Sequence, residues 1–128
     1  MNPRDETEFK MIQNFIGILD EYDYQVVAAI VAHLHHFKEV WCNSRHDGEL
    51  SGGYCFEAYK DVNGPYRLGQ IRVGPDHAYR ALAMFLDGYP EAYWVYLFKK
   101  VRNKQQSDMN RGRILAQQFW LTLKEKQQ

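Results

Sequence analysis

The residues with the clearest chemical potential are cations at the ends of three successive predicted strands. Arg72 ends one aromatic and β-branched segment and Arg80 begins the next, while Lys99 and Lys100 end the last. Three adjacent antiparallel strands can bring Arg72, Arg80 and one of the two lysines close together, although the sequence shows only the order of the strands and not the convergence of the cations. Such a cluster of like charges is tolerated when an anion such as phosphate bridges it, so the pattern indicates an anion site on the sheet.

Other reactive residue types are present without the spacing that their chemistry needs. His33, His35 and His36 lie on one predicted helix, but no pair of further ligands completes a zinc site, so we predict no metal. Cys42 and Cys55 lack the Cys-x-x-Cys spacing of a redox site, which is typical of structural cysteines. The sequence contains no phosphate-binding glycine loop and no nucleophile elbow, and we predict no cofactor.

Apolar spacing in the N-terminal part predicts two helices. The first would open at Asn2-Pro3 and carry an apolar face made of Phe9, Ile12, Ile16 and Leu19. The second would be capped by Asp23 and carry a stripe made of Val27, Ile30, Leu34, Phe37 and Trp41. Because the connection through residues 20–23 is short, we expect the two helices to form an antiparallel hairpin.

The middle of the chain predicts a small antiparallel sheet. Aromatic and β-branched segments at residues 54–59, 66–73, 78–86 and 93–98 alternate with turn residues. The turns are Asn63-Gly64-Pro65, Gly74-Pro75-Asp76 and Asp87-Gly88. A last helix would begin at Ser107 or Asp108. We therefore predict an α+β fold in a single domain, residues 1–128, with a helical hairpin packed on three or four antiparallel strands and a C-terminal helix.

The charge of the chain is unevenly distributed, although 16 Lys and Arg balance 16 Asp and Glu. Residues 1–65 carry five bases and eleven acids, a net charge of −6, and residues 66–128 carry eleven bases and five acids, a net charge of +6. Association responds to the local potential, so the neutral total hides a basic half. No apolar run approaches the ~18 residues of a membrane span, and the N-terminus lacks the order of a secretion signal, which predicts a cytoplasmic protein with no membrane partner.

Four short motifs, taken in order, resemble the RelE/ParE toxin superfamily and are closest to its HigB-like, phage-associated branch. The motifs are Leu68-Gly-Gln-Ile-Arg72, Tyr79-Arg80-Ala-Leu, Leu97-Phe98-Lys99-Lys100 and Asp108-Met-Asn-Arg111. In that family the corresponding pattern is a strand ending in Leu-x-Glu-Leu-Arg, a Tyr-Arg strand, a Phe-x-Lys-Lys strand end and a closing helix. The resemblance covers essentially the whole chain.

The resemblance implies the toxin of a type II toxin–antitoxin pair, most often a metal-independent, ribosome-dependent mRNA endonuclease. Carried over by position, the candidate catalytic cations that would offset the charge on the phosphorane are Arg72, Arg80, Lys99 and Lys100. Candidate RNA-binding residues are Arg67, Arg102 and Lys104 on the backbone and Tyr79 stacked on the target base. The expected partners are ribosome-bound mRNA and a cognate antitoxin that covers the basic face.

Two departures from the family pattern bear on the chemistry. Gln70 replaces the Glu of the first motif, and no tyrosine follows Tyr96, so a general-base position near the closing helix is unfilled. His77, which we include among the catalytic candidates, or His46 would substitute, because imidazole exchanges protons near neutral pH. Two alternatives stay open: a gyrase-inhibiting, ParE-like toxin, which needs no RNA-cleaving acid or base, and a non-catalytic, toxin-like binding module.

Overall fold

The computed structural model of the protein describes residues 3–50, 53–61, 64–87 and 90–126. In chain order the strands and α-helices are β1 (Glu8–Met11), α1 (Gln13–Leu19), α2 (Tyr24–Asn43), β2 (Glu57–Lys60), β3 (Tyr66–Val73), β4 (Tyr79–Leu86), β5 (Glu91–Lys99) and α3 (Gln105–Lys126). Short 3-10 helices lie at Pro3–Glu6, Asp47–Leu50 and Pro75–His77. Asn2, Asn63 and Gly88, predicted to open a helix and to form turns, lie outside the described residues.

The strands form one mixed sheet in the order β1-β5-β4-β3-β2. Neighbours from β2 to β5 are antiparallel, whereas β1 pairs in parallel with β5. The fold is α+β, but the predicted sheet of three or four antiparallel strands is wrong because the sheet has five strands and is mixed. The predicted first helix is wrong at the same place, since β1 interrupts it and α1 begins only at Gln13.

The additional strand, β1, is held by one aromatic side chain and by parallel pairing with β5. Phe9 stacks on Trp94 of β5 with ring centroids 5.5 Å apart, and it meets Trp41 of α2 edge-on at 6.0 Å. Glu8 and Lys10, on either side of Phe9, are exposed, which is the two-residue period of a strand with one buried face. The packing of Phe9 therefore fixes this segment as a strand at the edge of the sheet.

Helices α1 and α2 cover one face of the sheet. Helix α2 begins after Asp23, as predicted, and the Asp23 carboxylate accepts a hydrogen bond from the Val26 N–H at 3.3 Å. The predicted stripe supplies its buried residues, which are Ile30, Leu34, Phe37 and Trp41. Phe37 is completely buried and packs in a cluster of aromatic rings from α2, β1, β5 and the segment that enters β2.

Helix α3 covers the other face, so the sheet is the middle layer of three. It begins at Gln105, two or three residues before the predicted start at Ser107 or Asp108. Gly112 permits a close approach to the sheet, because a Cβ at this position would lie 2.7 Å from Cδ2 of Leu82. No helix in the described ranges is long and apolar enough to cross a membrane.

Candidate anion-binding site

Arg72 and Arg80 stand directly opposite each other in the β3–β4 ladder. Leu82 is two residues from Arg80 and contacts Gly112 of α3, so strand alternation places both arginines on the α3 face of the sheet. The two arginines therefore lie side by side on that face. We call them the arginine pair.

The positive charges of the arginine pair are only partly balanced by neighbouring groups. Arg80 is only 5 % exposed, and its Nη1 donates to the carbonyl oxygens of His77 at 2.7 Å and Tyr79 at 3.2 Å. Across the described ranges, no carboxylate lies within 4.0 Å of either guanidinium. Burial lowers the pKa of Arg80, and the charge of Arg72 lowers it further. An anion bound here would therefore offset both the desolvation and the repulsion.

A carboxylate that the sequence motifs do not point to lies beside the arginine pair. Glu57 of β2 is opposite Gln70 of β3, so it sits diagonally from Arg72 on the same face of the sheet. The Glu57 side chain is exposed. Its charge raises the pKa of Arg80, but this effect is smaller than the lowering caused by burial and by the charge of Arg72. The sequence shows that polar Glu57 follows apolar Phe56, as expected of a strand with one buried face. It does not show the register between β2 and β3, which brings Glu57 next to Arg72.

The two lysines at the end of β5 are divided between the two faces. Lys99 stands opposite Tyr79, on the face covered by α1 and α2, and its Nζ lies 5.9 Å from the centroid of the Tyr79 ring. Lys100 donates its N–H to the Ala78 carbonyl at 2.8 Å, which continues the ladder and, by alternation, places it on the face of Arg80. Lys100 is therefore the exposed lysine that shares a face with the arginine pair.

His77 lies in the turn between β3 and β4 and contacts Arg80 through its carbonyl rather than its imidazole. Its ring centroid is 5.2 Å from that of His33 on α2, and its backbone φ is +53°, a left-handed conformation that costs free energy in a non-glycine residue. Burial, followed by the charges of His77 and His36, lowers the pKa of His33. His46 lies in a different region, 3.6 Å from Glu49 in the segment after α2.

Arg67 lies on the face opposite the arginine pair and forms an ion pair within the fold. Its Nη1 donates to Asp47 at 2.8 Å, and Arg4 donates to the other oxygen of the same carboxylate at 2.5 Å. Burial raises the pKa of Asp47, but the hydrogen bonds from Arg67 and Arg4 outweigh it and lower that pKa. The structure therefore places Arg67 in a link between the N-terminus and β3.

The remaining predicted RNA-binding residues occupy two different environments. Tyr79 is 7 % exposed, and its ring meets that of Tyr22 edge-on at 5.3 Å, so the ring is packed within the fold rather than open to a base. Arg102 and Lys104 are exposed in the segment that joins β5 to α3. These two cations are the ones available to a ligand on the surface.

Metal-ligating side chains do not gather at this site or elsewhere in the described ranges. No group of three or more His, Cys, Asp and Glu residues there is placed to hold a metal ion. Cys42 and Cys55 are both partly buried.

Comparisons with known proteins return no relative for this chain. No known family matches it, and neither the curated proteins nor the solved structures contain a match. The resemblance to the RelE/ParE superfamily therefore stays a prediction.

Proposed function

We propose that the protein is an RNA-cleaving toxin that holds a backbone phosphate between Arg72 and Arg80 and acts in the cytoplasm. The observation that carries this proposal is Arg80, a cation 5 % exposed that stands directly opposite a second arginine. Burying a charge costs several kcal/mol, roughly, unless an opposite charge or hydrogen bonds compensate it. A site that retains two such cations is suited to a ligand that carries negative charge.

A phosphodiester fits this site better than a carboxylate. Opposed residues in an antiparallel ladder have Cα atoms about 4.5–5.5 Å apart, so two guanidiniums can approach one phosphate from two sides. Exposed Lys100 lies on the same face and can contact a neighbouring phosphate. The +6 charge of residues 66–128 attracts a polyanion to this half of the chain.

Metal-free cleavage of RNA needs three functions, and the arginine-pair face carries a group for each. The 2′-hydroxyl attacks the adjacent phosphorus, its proton passes to a base, and the leaving 5′-oxygen takes a proton from an acid. Arg72 and Arg80 offset the charge that develops on the phosphorane. Glu57 is our candidate base and Lys100 our candidate acid. The products are a 2′,3′-cyclic phosphate and a 5′-hydroxyl.

RNA binding tests the phosphate site. Loss of one charge-assisted hydrogen bond costs about 1.5–3 kcal/mol, so Arg72→Gln should weaken binding of a single-stranded RNA by roughly 10- to 150-fold. The slope of log K against log salt should fall by about 0.7 for each phosphate that the variant no longer neutralises. Arg45→Gln, which removes an exposed arginine from the segment after α2, is the matched control and should change neither quantity.

RNA cleavage tests the chemistry separately. Glu57→Gln should lower the cleavage rate by roughly 100-fold or more, the contribution expected of a general base, while the RNA stays bound. The ends of the products should carry the cyclic phosphate. RNA that is bound but left intact by the wild-type protein, alone or on ribosomes, would contradict the catalytic part of the proposal.

The toxin role is tested in cells. Expression should arrest growth and cleave ribosome-bound mRNA, and Arg80→Gln should abolish both effects in a protein that remains folded. A cognate antitoxin should restore growth by covering the arginine pair. Arrested growth with intact mRNA and inhibited gyrase would instead favour a ParE-like target.

A further inference from the structure

The outer edge of β5 is unpaired beyond the end of β1. Strand β1 covers β5 only over residues 91–94, and β5 continues to Lys99. Lys100 donates its N–H to the Ala78 carbonyl, and hydrogen-bonded pairs recur at every second residue of an antiparallel ladder. The backbone of Phe98 therefore bonds to β4, whereas the N–H and C=O groups of Leu97 and Lys99 face away from β4. Within the described ranges, no backbone hydrogen bond outside the ladder uses these groups.

This edge lies in a groove of about 500 Å³ that both helical layers border. One wall consists of α1 and the turn after it, through Asn14, Ile18, Glu21 and Tyr22. The opposite wall consists of α3 and the segment before it, through Val101, Lys104, Asp108, Arg111 and Leu115. Because walls rise on both sides of the strand edge, the space suits one extended segment rather than the edge of a second folded sheet.

The lining of the groove specifies the character of that segment. Ile18 and Leu115 offer apolar contacts, one from each wall. Lys99, Lys104 and Arg111 supply three positive charges against the two carboxylates of Glu21 and Asp108. The Asp108 carboxylate already accepts a hydrogen bond from the Tyr96 hydroxyl at 3.4 Å. The balance favours an acidic side chain beside alternating apolar ones.

We propose that this groove binds a partner protein by strand addition. An extended segment of the partner pairs with the free N–H and C=O groups of Leu97 and Lys99, and its acidic side chain lies toward Lys104 and Arg111. Main-chain hydrogen bonds supply affinity in this mode of recognition, and alternate side chains supply specificity. The groove shares no residue with the arginine pair, so the proposal holds whether or not the protein cleaves RNA.

Selection from a displayed library of random heptapeptides on the full-length protein tests the proposal. Recovered peptides should be acidic, and N-methylation of every second backbone nitrogen should weaken binding at least 10-fold, with the intervening positions changing by less than 2-fold. That alternation is the signature of an added strand, and it requires no variant of the protein. Failure to recover a binder, or a methylation pattern without alternation, would overturn the proposal.

Hydrogen exchange locates the bound peptide. The Leu97 and Lys99 amides should exchange at least 10-fold more slowly in the complex, whereas the Phe98 amide, already bonded to β4, should change little. Arg111→Glu should weaken acidic heptapeptides at least 10-fold, and Lys124→Glu, an exposed lysine in the last turn of α3, should not. Peptides that bind without protecting Leu97 and Lys99 would place the docking surface elsewhere and refute the inference.

Discussion

The direct opposition of Arg72 and Arg80 predicts that reversing the charge at residue 72 makes the fold more stable. Arg72 is exposed, and Arg72→Glu would replace a cross-strand repulsion with an attraction to a nearly buried cation. An opposite-charge pair contributes roughly 0.2–1 kcal/mol, and a like-charge pair costs a similar amount. Glu57, diagonal to residue 72, repels the new carboxylate and reduces the gain, so we expect about 1 kcal/mol in the free energy of unfolding.

Urea unfolding at low ionic strength measures this change. A gain of about 1 kcal/mol corresponds to roughly 3–5 °C in Tm for a chain of this size. The gain should shrink at about 1 M salt, where the Debye length falls to about 3 Å. Arg72→Gln should show an intermediate gain, and Arg45→Glu should stay within about 0.5 kcal/mol of wild type. Both variants at residue 72 should lose RNA affinity.

Two results would refute the reasoning about the arginine pair. One is a lower free energy of unfolding for Arg72→Glu at low salt, which would mean that Arg72 stabilises the fold. The other is a gain that persists at high salt, which would make it non-electrostatic. A stabilised protein that no longer binds RNA would show that the pair is kept for its ligand at the expense of stability.

Three further predictions concern the fold. Phe37→Ala should lower the free energy of unfolding by about 3–5 kcal/mol, since it empties the centre of the aromatic cluster; urea titration checks this. Gly112→Val should cost about 1–3 kcal/mol because its side chain meets Leu82, whereas Gly17→Ala, with open space around it in α1, should gain about 0.5–1 kcal/mol in the same assay. The lowered pKa of Asp47 means that the folded state binds fewer protons there, so its stabilisation is present above about pH 4 and is lost as the pH falls through the folded pKa. Asp47→Asn should therefore cost about 1 kcal/mol at neutral pH and nothing in strong acid, measured by urea unfolding across that range.

Local sequence patterns predicted α2 well and β1 badly, for a physical reason. The cap at Asp23 and the stripe that includes Phe37 and Trp41 report contacts within one helix and its buried side. Phe9 and Ile12 are also three residues apart, but Phe9 is partly buried against Trp94, which is distant from it in the sequence. Strand β1 has only four residues, which is too short for its own sequence pattern to distinguish a strand from a helix when its partner is distant.

The part of the candidate site that depends on a short turn is the register between β3 and β4. The turn between β3 and β4 brings Arg72 opposite Arg80, whereas the sequence showed the order of the two strands and not the convergence of the arginines. The face of Lys99 depends on alternation counted through the irregularity in the β4–β5 ladder, and the position of Glu57 depends on the β2–β3 register. Neither register is encoded in a local motif.

The most direct test of the central claim follows the two arginine side chains themselves. With the guanidinium resonances of Arg72 and Arg80 assigned by NMR, a single-stranded RNA protected at its 2′-hydroxyls is titrated into the wild-type protein. We expect both Nε–Hε signals to shift and to saturate together at one Kd, while that of Arg45 stays in place. RNA that binds and leaves the signals of Arg72 and Arg80 unchanged would contradict it.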